Sequence, residues 1–349
     1  MTRNAGRREI LAGLAALSGT VLLPGAVVAQ DRPRRIDVHH HVYSPAWKEA
    51  DLAWSERKGQ GTPFTAGWAV EKTLADMEKG GVTTAIFSMS SLHENWWGGG
   101  PQLAARVCRA SNDYAAELMR AHPGRFGLFA FVPMIDVDLS LAEIAHALDE
   151  LKADGVGIAS SYGDKWPGDP MFQPIFEELN RRKAVVYVHP TFPDCCEPIL
   201  GIGPSVLEVP FDTVRAVTSL LLSGSFARFR DIRWIFSHSG GALPSLFERI
   251  NAFFAILRPL KNLNEIAPSG IAAEIARLHF DVANAAWPAD MAGALKMAPV
   301  SQFMFGSDYP YFTAAMTVDA LKKGGFGRPT LEAIDYGNAE RLLPRLRRF

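Results

Sequence analysis

Near its start the chain reads Ile36-Asp37-Val38-His39-His40-His41, and on an extended segment two imidazoles two residues apart project to the same side. His39 and His41 therefore form a clamp for a divalent transition metal, for which neutral imidazole is the commonest protein ligand. His40 is expected to face the other way. Three more apolar runs end on residues of the same chemical kind: VVYV closes on His189, RWIFS on His238 and FMFGS on Asp308. A carboxylate at the end of such a run is costly to bury unless it is paired or binds a cation. Gly240 and Gly241 follow His238 and let the backbone turn tightly beside a ligand. Asp281 ends a further run, LHF, where it can face a substrate or orient a histidine ligand.

These residues act together only if one fold brings them to one place. Short β-branched or apolar runs alternate with amphipathic stretches along the chain, the pattern of repeated strand-helix units and a parallel sheet. Strands are expected at Ile36–His41, Val82–Phe87, Gly127–Val132, Gly155–Ala159, Val185–His189, Trp234–His238, Leu278–Val282 and Phe303–Ser307. Helical spacing of apolar residues marks Leu103–Arg120, Leu139–Lys152, Phe172–Arg182, Val214–Phe226 and Leu243–Leu257. Eight such units over about 320 residues match a single α/β domain, the (β/α)8 or TIM barrel. An open doubly wound sheet fits less well, because no glycine-rich phosphate turn follows the first strand and the first and eighth strands would lie far apart. In a barrel the C-terminal ends of strands 1, 5, 6 and 8 share one mouth, where a metal site is expected. The extended loops on that face include Tyr43 to Glu71, with Trp47, Trp54, Phe64 and Trp68, read as a lid, and a rim segment Pro190–Pro210. The connection after strand 2 offers His93, Asn95, Trp96 and Trp97, and His93, Trp96 and Asp281 are expected to contact the substrate.

Four motifs in this order, IDVHHH, VHP, SHSGGALP and FGSDYPY, resemble the amidohydrolase superfamily, within it the branch that holds aminocarboxymuconate-semialdehyde decarboxylase and aromatic-acid decarboxylases. The resemblance covers essentially all of the chain beyond its N-terminal segment. It implies that His39, His41, His189 and Asp308 are the metal ligands and that His238 is catalytic without binding the ion tightly. Two-metal members carry a carbamylated lysine at the end of strand 4. Here that strand reads GVGIASSY, with Lys152 before it and Lys165 well after, so one ion is expected. Three histidines and a carboxylate suit Zn2+, with Mn2+ as the alternative. The implied reaction is non-oxidative decarboxylation, with His238 and Asp308 moving the proton. One departure bears on the substrate: the arginines that hold a second carboxylate in the aminocarboxymuconate-semialdehyde enzymes fall on Thr73 and Ala75. The loop HPTFPDCCEP after strand 5 is similar to that of 6-methylsalicylate-type decarboxylases, so a hydroxy-aromatic or related monocarboxylic acid is expected. A hydrolase of a lactone, amide or ester is the alternative, because the same ligands can activate water. A binding protein without turnover is the third reading.

The rest of the sequence bounds these readings. Of 349 residues 48 % are hydrophobic, and mean hydropathy is +0.02, enough for a large core. With a net charge of −1 and no run of like charges, nucleic acid and anionic membranes are not expected partners. A small carboxylic acid is, with a homodimer as the assembly considered. Residues 1–29 read as an export signal: Arg3, Arg7 and Arg8 precede the apolar run Ile10–Leu23, and small residues follow at Ala26-Val27-Val28-Ala29. The Arg7-Arg8 pair resembles the twin-arginine type, which carries folded proteins. The run is short for a spanning helix, so residues 30–349 are expected in the periplasm with no stable membrane span. Cys108, Cys195 and Cys196, odd in number and two of them adjacent, do not form a paired disulfide framework.

Overall fold

The computed structural model describes residues 34–59, 61–90, 94–192, 203–257 and 263–348. The export signal expected at 1–29, His93, the Cys195-Cys196 pair and much of the rim segment Pro190–Pro210 lie outside the described residues.

Eight strands form among them: β1 (Ile36–His41), β2 (Thr84–Ser88), β3 (Phe126–Phe131), β4 (Gly155–Ala159), β5 (Val185–His189), β6 (Arg233–Phe236), β7 (His279–Asp281) and β8 (Phe303–Met304). They pair in parallel in chain order. Branched and aromatic residues such as Val185-Val186-Tyr187-Val188 suit a pleated surface covered on both faces, and every residue of β1 to β5 is buried. The ring closes where Val38 N–H donates to Phe305 O (3.0 Å), Asp308 N–H to His39 O (2.8 Å) and His41 N–H to Tyr309 O (2.9 Å). The expected TIM barrel is the observed fold.

β1, β4 and β5 keep their expected limits, whereas β6, β7 and β8 stop short of theirs. For β6 the cause is backbone conformation at the mouth. His238, Ser239, Gly240 and Gly241 all have φ between 54° and 84°, and Asn284 and Asp308 stand at 54° and 64°. A left-handed residue cannot continue a ladder.

Inside the barrel Ile36, Val38, Ile86, Phe129, Tyr187 and Ile235 pack on one another and on Leu342, Leu343 and Leu346 of the C-terminal segment. Arg345 of that segment pairs with Asp154, just before β4 (2.7 and 2.6 Å), which places the segment at the N-terminal ends of the strands as a floor. Each fully buried side chain of this size contributes about 1.5–3 kcal/mol. Strict alternation would set Ile36 and Val38 on the face opposite His39 and His41. The pairing of β1 with β2 instead shifts register between Asp37 and His40. This bulge lets Val38 join the interior while the two histidines also face it, and turns Asp37 out of the barrel with His40.

The stretch expected as a lid is a packed helical flap. Ser44 caps the helix Pro45–Lys58 by accepting from Trp47 N–H at 3.0 Å, and Gly59 ends it at φ 66°. Trp47, Trp54 and Trp68 are buried under it, and Phe64 alone of the four aromatics stands out, 60 % exposed. Among the expected helices, Leu103–Arg120 is observed as Gly100–Ala121 and Leu243–Leu257 as expected, whereas Val214–Phe226 begins earlier, as Glu208–Leu222. Pro210 hid that start, although proline is tolerated in a first turn, where N–H groups lack partners.

The helix Gly100–Ala121 is tied to β3 through Asn112, which is fully buried. Its amide donates to Phe131 O at 2.9 Å and to Glu143 Oε1 at 2.7 Å, and accepts from Phe131 N–H at 2.8 Å. Asn112→Ala would strand both backbone groups of Phe131. It is expected to lower stability by about 2–4 kcal/mol, read as a fall in the urea midpoint; a midpoint equal to that of the parent protein would contradict this role.

Candidate metal centre

At the C-terminal end of the barrel His39, His41, His189 and Asp308 each offer one ligand atom, and these atoms lie within 4.8 Å of one another. All four residues are buried. The imidazole rings stand nearly perpendicular, with centroids 5.1 Å apart for His39 and His41, 5.0 Å for His39 and His189, and 4.7 Å for His41 and His189. Asp308 Oδ1 is 2.9 Å from His41 Nε2. His39 Nε2 lies 3.2 Å from the same oxygen but is not aligned to bond it. Neither ring nitrogen of His189 has a hydrogen-bond partner. A buried, unpaired polar nitrogen costs about 1–3 kcal/mol, and here the orphaned nitrogens converge with a carboxylate. The donor set fits one divalent ion.

The electrostatics agree. Burial and the neighbouring imidazoles of His41 and His39 hold His189 well below its ordinary range, and burial lowers His41 in spite of Asp308. Both therefore present lone pairs rather than protons. Burial pulls His39 down too, but the carboxylates of Asp281 and Asp308 outweigh it and push it up to about 10. Burial would raise Asp308, yet His39, His238 and His41 hold it well below the usual carboxylate range. Two carboxylates enclosing buried imidazoles call for positive charge, which a proton on His39 or a bound cation can supply.

Asp281 orients the first ligand. Its Oδ2 lies 3.1 Å from His39 Nδ1 and accepts from Tyr187 Oη at 3.0 Å, which leaves His39 Nε2 facing the cluster. Its Oδ1 accepts from His238 N–H at 3.2 Å and Ala283 N–H at 3.0 Å. On the outer side of β1, Asp37 accepts from His39 N–H (3.0 Å), Ser307 N–H (2.9 Å) and Ser307 Oγ (2.5 Å), and faces His40 Nδ1 at 3.0 Å. Asp37 thus bolts the clamp strand to the segment that carries Asp308. Gly306 permits that closeness, because a Cβ there would come within 2.8 Å of His39 Cβ.

His238 is outside the quartet but beside it. Its ring centroid is 4.9 Å from that of His39, and its Nε2 is 3.4 Å from Asp308 Oδ2. It opens onto a cavity of about 530 Å³ that Pro210, Pro244, Asn284 and Asp290 also line. Among the described residues no lysine or arginine lines it. On another side of the quartet Tyr311 meets the His41 ring edge-on at 5.7 Å and stacks on Phe64 at 5.3 Å, while Tyr43 Oη donates to Tyr311 Oη at 3.2 Å. At the end of β4, where a bridging lysine would sit, Ser160 and Ser161 both donate to buried Asp212.

Of the residues expected to contact a substrate, Asp281 is fully buried with both oxygens engaged behind His39, so it orients a ligand and does not reach the mouth. Trp96 is fully buried as well, packed against Trp47 and Trp97 at 6.0 and 5.7 Å. His93 lies outside the described residues. Sequence reasoning gave no role to Asp37, Tyr187 or Asn284. Asp37, an acid inside a strand of apolar and histidine residues, carried the one available signal.

The description amidohydrolase matches a family model over residues 36–345. The 6-methylsalicylic acid decarboxylase of Aspergillus aculeatus is 34 % identical over 333 residues, covering 90 % of this chain and 97 % of its own. That of Penicillium expansum is 32 % identical over 328 residues, again covering 90 % and 97 %. Among solved structures, a 5-carboxyvanillate decarboxylase of Novosphingobium aromaticivorans, complexed with manganese and 4-hydroxy-3-methoxy-5-nitrobenzoic acid, superposes with a TM-score of 0.79 at 20 % identity, covering 89 % of this chain and 96 % of its own. With its barrel, its motifs and its histidine-aspartate quartet, the chain belongs to the amidohydrolase family.

Proposed function

We propose that this protein is a metal-dependent, non-oxidative decarboxylase of a hydroxy-aromatic monocarboxylic acid. The observation that carries the proposal is the buried quartet of His39, His41, His189 and Asp308 with His238 on its open side. The names of the relatives add the substrate class, since two that match nearly the whole chain act on 6-methylsalicylic acid. A divalent ion held by the quartet supplies a Lewis-acidic centre for the carboxylate and the hydroxyl beside it. Zn2+ suits three imidazoles and a carboxylate, and Mn2+, present in the Novosphingobium structure, is the alternative.

The chain's own residues account for orientation and proton transfer. The ring carbon bearing the carboxylate takes up a proton, its bond to the carboxyl carbon breaks, the electron pair returns to the ring and CO2 leaves. No oxidant or reductant is needed. His238 Nε2 and Asp308 Oδ2, 3.4 Å apart, share the proton, and either atom can hand it to the ring carbon. Among the described residues no lysine or arginine lines the cavity, which favours a ring whose other substituents are neutral, because a second buried carboxylate would have no counter-charge there.

The purified protein, carrying one ion per chain by elemental analysis, is expected to release CO2 from 6-methylsalicylate and form 3-methylphenol without consuming oxygen, and a chelator should stop it. Two ions per chain, or acid release from lactones with no CO2 from any hydroxybenzoate, would sink the proposal. His238→Ala is expected to keep the ion and lose about 10²- to 10⁴-fold in kcat; an empty site in that variant would make His238 a ligand instead. Residues 1–29 are taken as a twin-arginine signal and the mature enzyme as periplasmic. N-terminal sequencing of the periplasmic fraction should then start near Gln30, whereas an unprocessed cytoplasmic chain is the contrary result.

A further inference from the structure

Asn284 stands where β7 gives way to the turn before the helix Pro288–Met297, with a left-handed φ of 54° that asparagine tolerates better than most residues. Asp281 sets this turn through Ala283 N–H, with the same oxygen that accepts from His238 N–H. The Asn284 side chain is exposed at the mouth. Its Nδ2 donates to Asp308 Oδ2 at 2.6 Å and lies 3.5 Å from His238 Nε2. The amide cannot be turned round, since its oxygen would then face a carboxylate oxygen. Oδ1 accepts no hydrogen bond from any described residue. Asn284 also lines both the cavity shared with His238 and a neighbouring one of about 220 Å³ bounded by Trp287 and Phe312.

We infer that Asn284 is a substrate-contacting and positioning residue. Its amide nitrogen fixes Asp308 so that Oδ1 faces His39 and His41 while Oδ2 faces His238, and its amide oxygen accepts the proton of the hydroxyl ortho to the substrate's carboxylate. The carbon to be protonated must sit against His238 and Asp308. An acceptor bonded through its own amide to Asp308 Oδ2 therefore falls next to the position adjacent to that carbon. A hydroxyl there donates to Oδ1 and keeps its lone pairs for other contacts, and because the seated ring takes that amide oxygen out of water, an analogue without the hydroxyl leaves it unpaired and binds less well. The inference rests on the decarboxylase reading above.

The test compares binding of 2-hydroxybenzoate and benzoate to the metal-loaded protein by calorimetry. The unsubstituted protein should prefer 2-hydroxybenzoate by at least about tenfold. Asn284→Gly removes the amide while keeping the left-handed backbone free of strain. It should lose most of that preference, bind benzoate within about twofold of the parent protein, retain one ion per chain, and turn over 6-methylsalicylate with a lower kcat. Asn284→Asp, which keeps an acceptor oxygen but sets carboxylate against carboxylate, should weaken binding of both acids. The inference is overturned if Asn284→Gly keeps the preference, weakens both acids equally or loses the ion, or if Asn284→Asp binds 2-hydroxybenzoate as the parent does. A parent protein that binds neither acid and releases no CO2 from 6-methylsalicylate overturns the decarboxylase reading and this inference with it, whereas failure in the variants alone overturns only the latter.

Discussion

Two buried carboxylates hold one imidazole between them, and most of the mouth of this barrel follows from that. Asp281 faces His39 Nδ1 and Asp308 faces His39 Nε2, each about a hydrogen-bond length away. Neither acid could be buried here alone, because desolvating a carboxylate costs far more than local packing can return. The imidazoles of His41 and His189 add ligand atoms but no charge, since burial keeps both neutral. The centre is therefore short of positive charge and rich in lone pairs, the condition under which a divalent ion binds and the proton on His39 leaves. Stability and function are coupled at this point: the interactions that make the empty centre expensive are the ones a cation satisfies.

Holding that centre together requires strands that do not run on regularly. β1 bulges so that His39 and His41 can share the interior with Val38, and Asp37 then fastens the bulged strand to Ser307. At the ends of β6, β7 and β8, His238, Asn284 and Asp308 each adopt a left-handed backbone. Such residues cost on the order of 1–3 kcal/mol each and persist where surroundings over-determine them. Here the surroundings are one network. Asp281 holds the backbone of His238 and of the Asn284 turn, and Asn284 in turn holds Asp308. Two of the three strained positions are thus fixed by a single carboxylate that never meets solvent, and Asp308 is fixed by its N–H to His39 O and by Asp37 through Ser307.

The barrel and the quartet were legible in the sequence because both depend on local pattern. Strands with continuous apolar runs, such as Val185–His189, declare themselves, and a histidine or aspartate at the end of such a run has few reasons to be there. What escaped was set by geometry beyond the local pattern. Alternation along Ile36–His41 cannot reveal a bulge, so the outward placement of Asp37 could not be read. Trp96 looked like a mouth residue because its loop follows β2, but the helix Pro45–Lys58 brings Trp47 over it and buries both. Asn284, in the unremarkable run VANAAW, acquires meaning only when β7 and β8 lie side by side and its amide reaches Asp308.

The distribution of charge also bears on how a turnover would begin and end. Among the described residues the cavity beside His238 offers no lysine or arginine, so the strong attraction for an anion there is the metal centre beside it. A monocarboxylate can then enter in one sense only, with its carboxylate inward. Decarboxylation removes the group on which that attraction depends. What remains is a neutral phenol whose contacts are a ring face and a hydroxyl, each of modest strength in a wet mouth. A pocket with a fixed arginine for a second carboxylate would keep hold of its product after CO2 had gone. A cavity lining without lysine or arginine among the described residues therefore goes with a substrate bound chiefly by the bond-breaking end, and with a product released by the same chemistry that forms it.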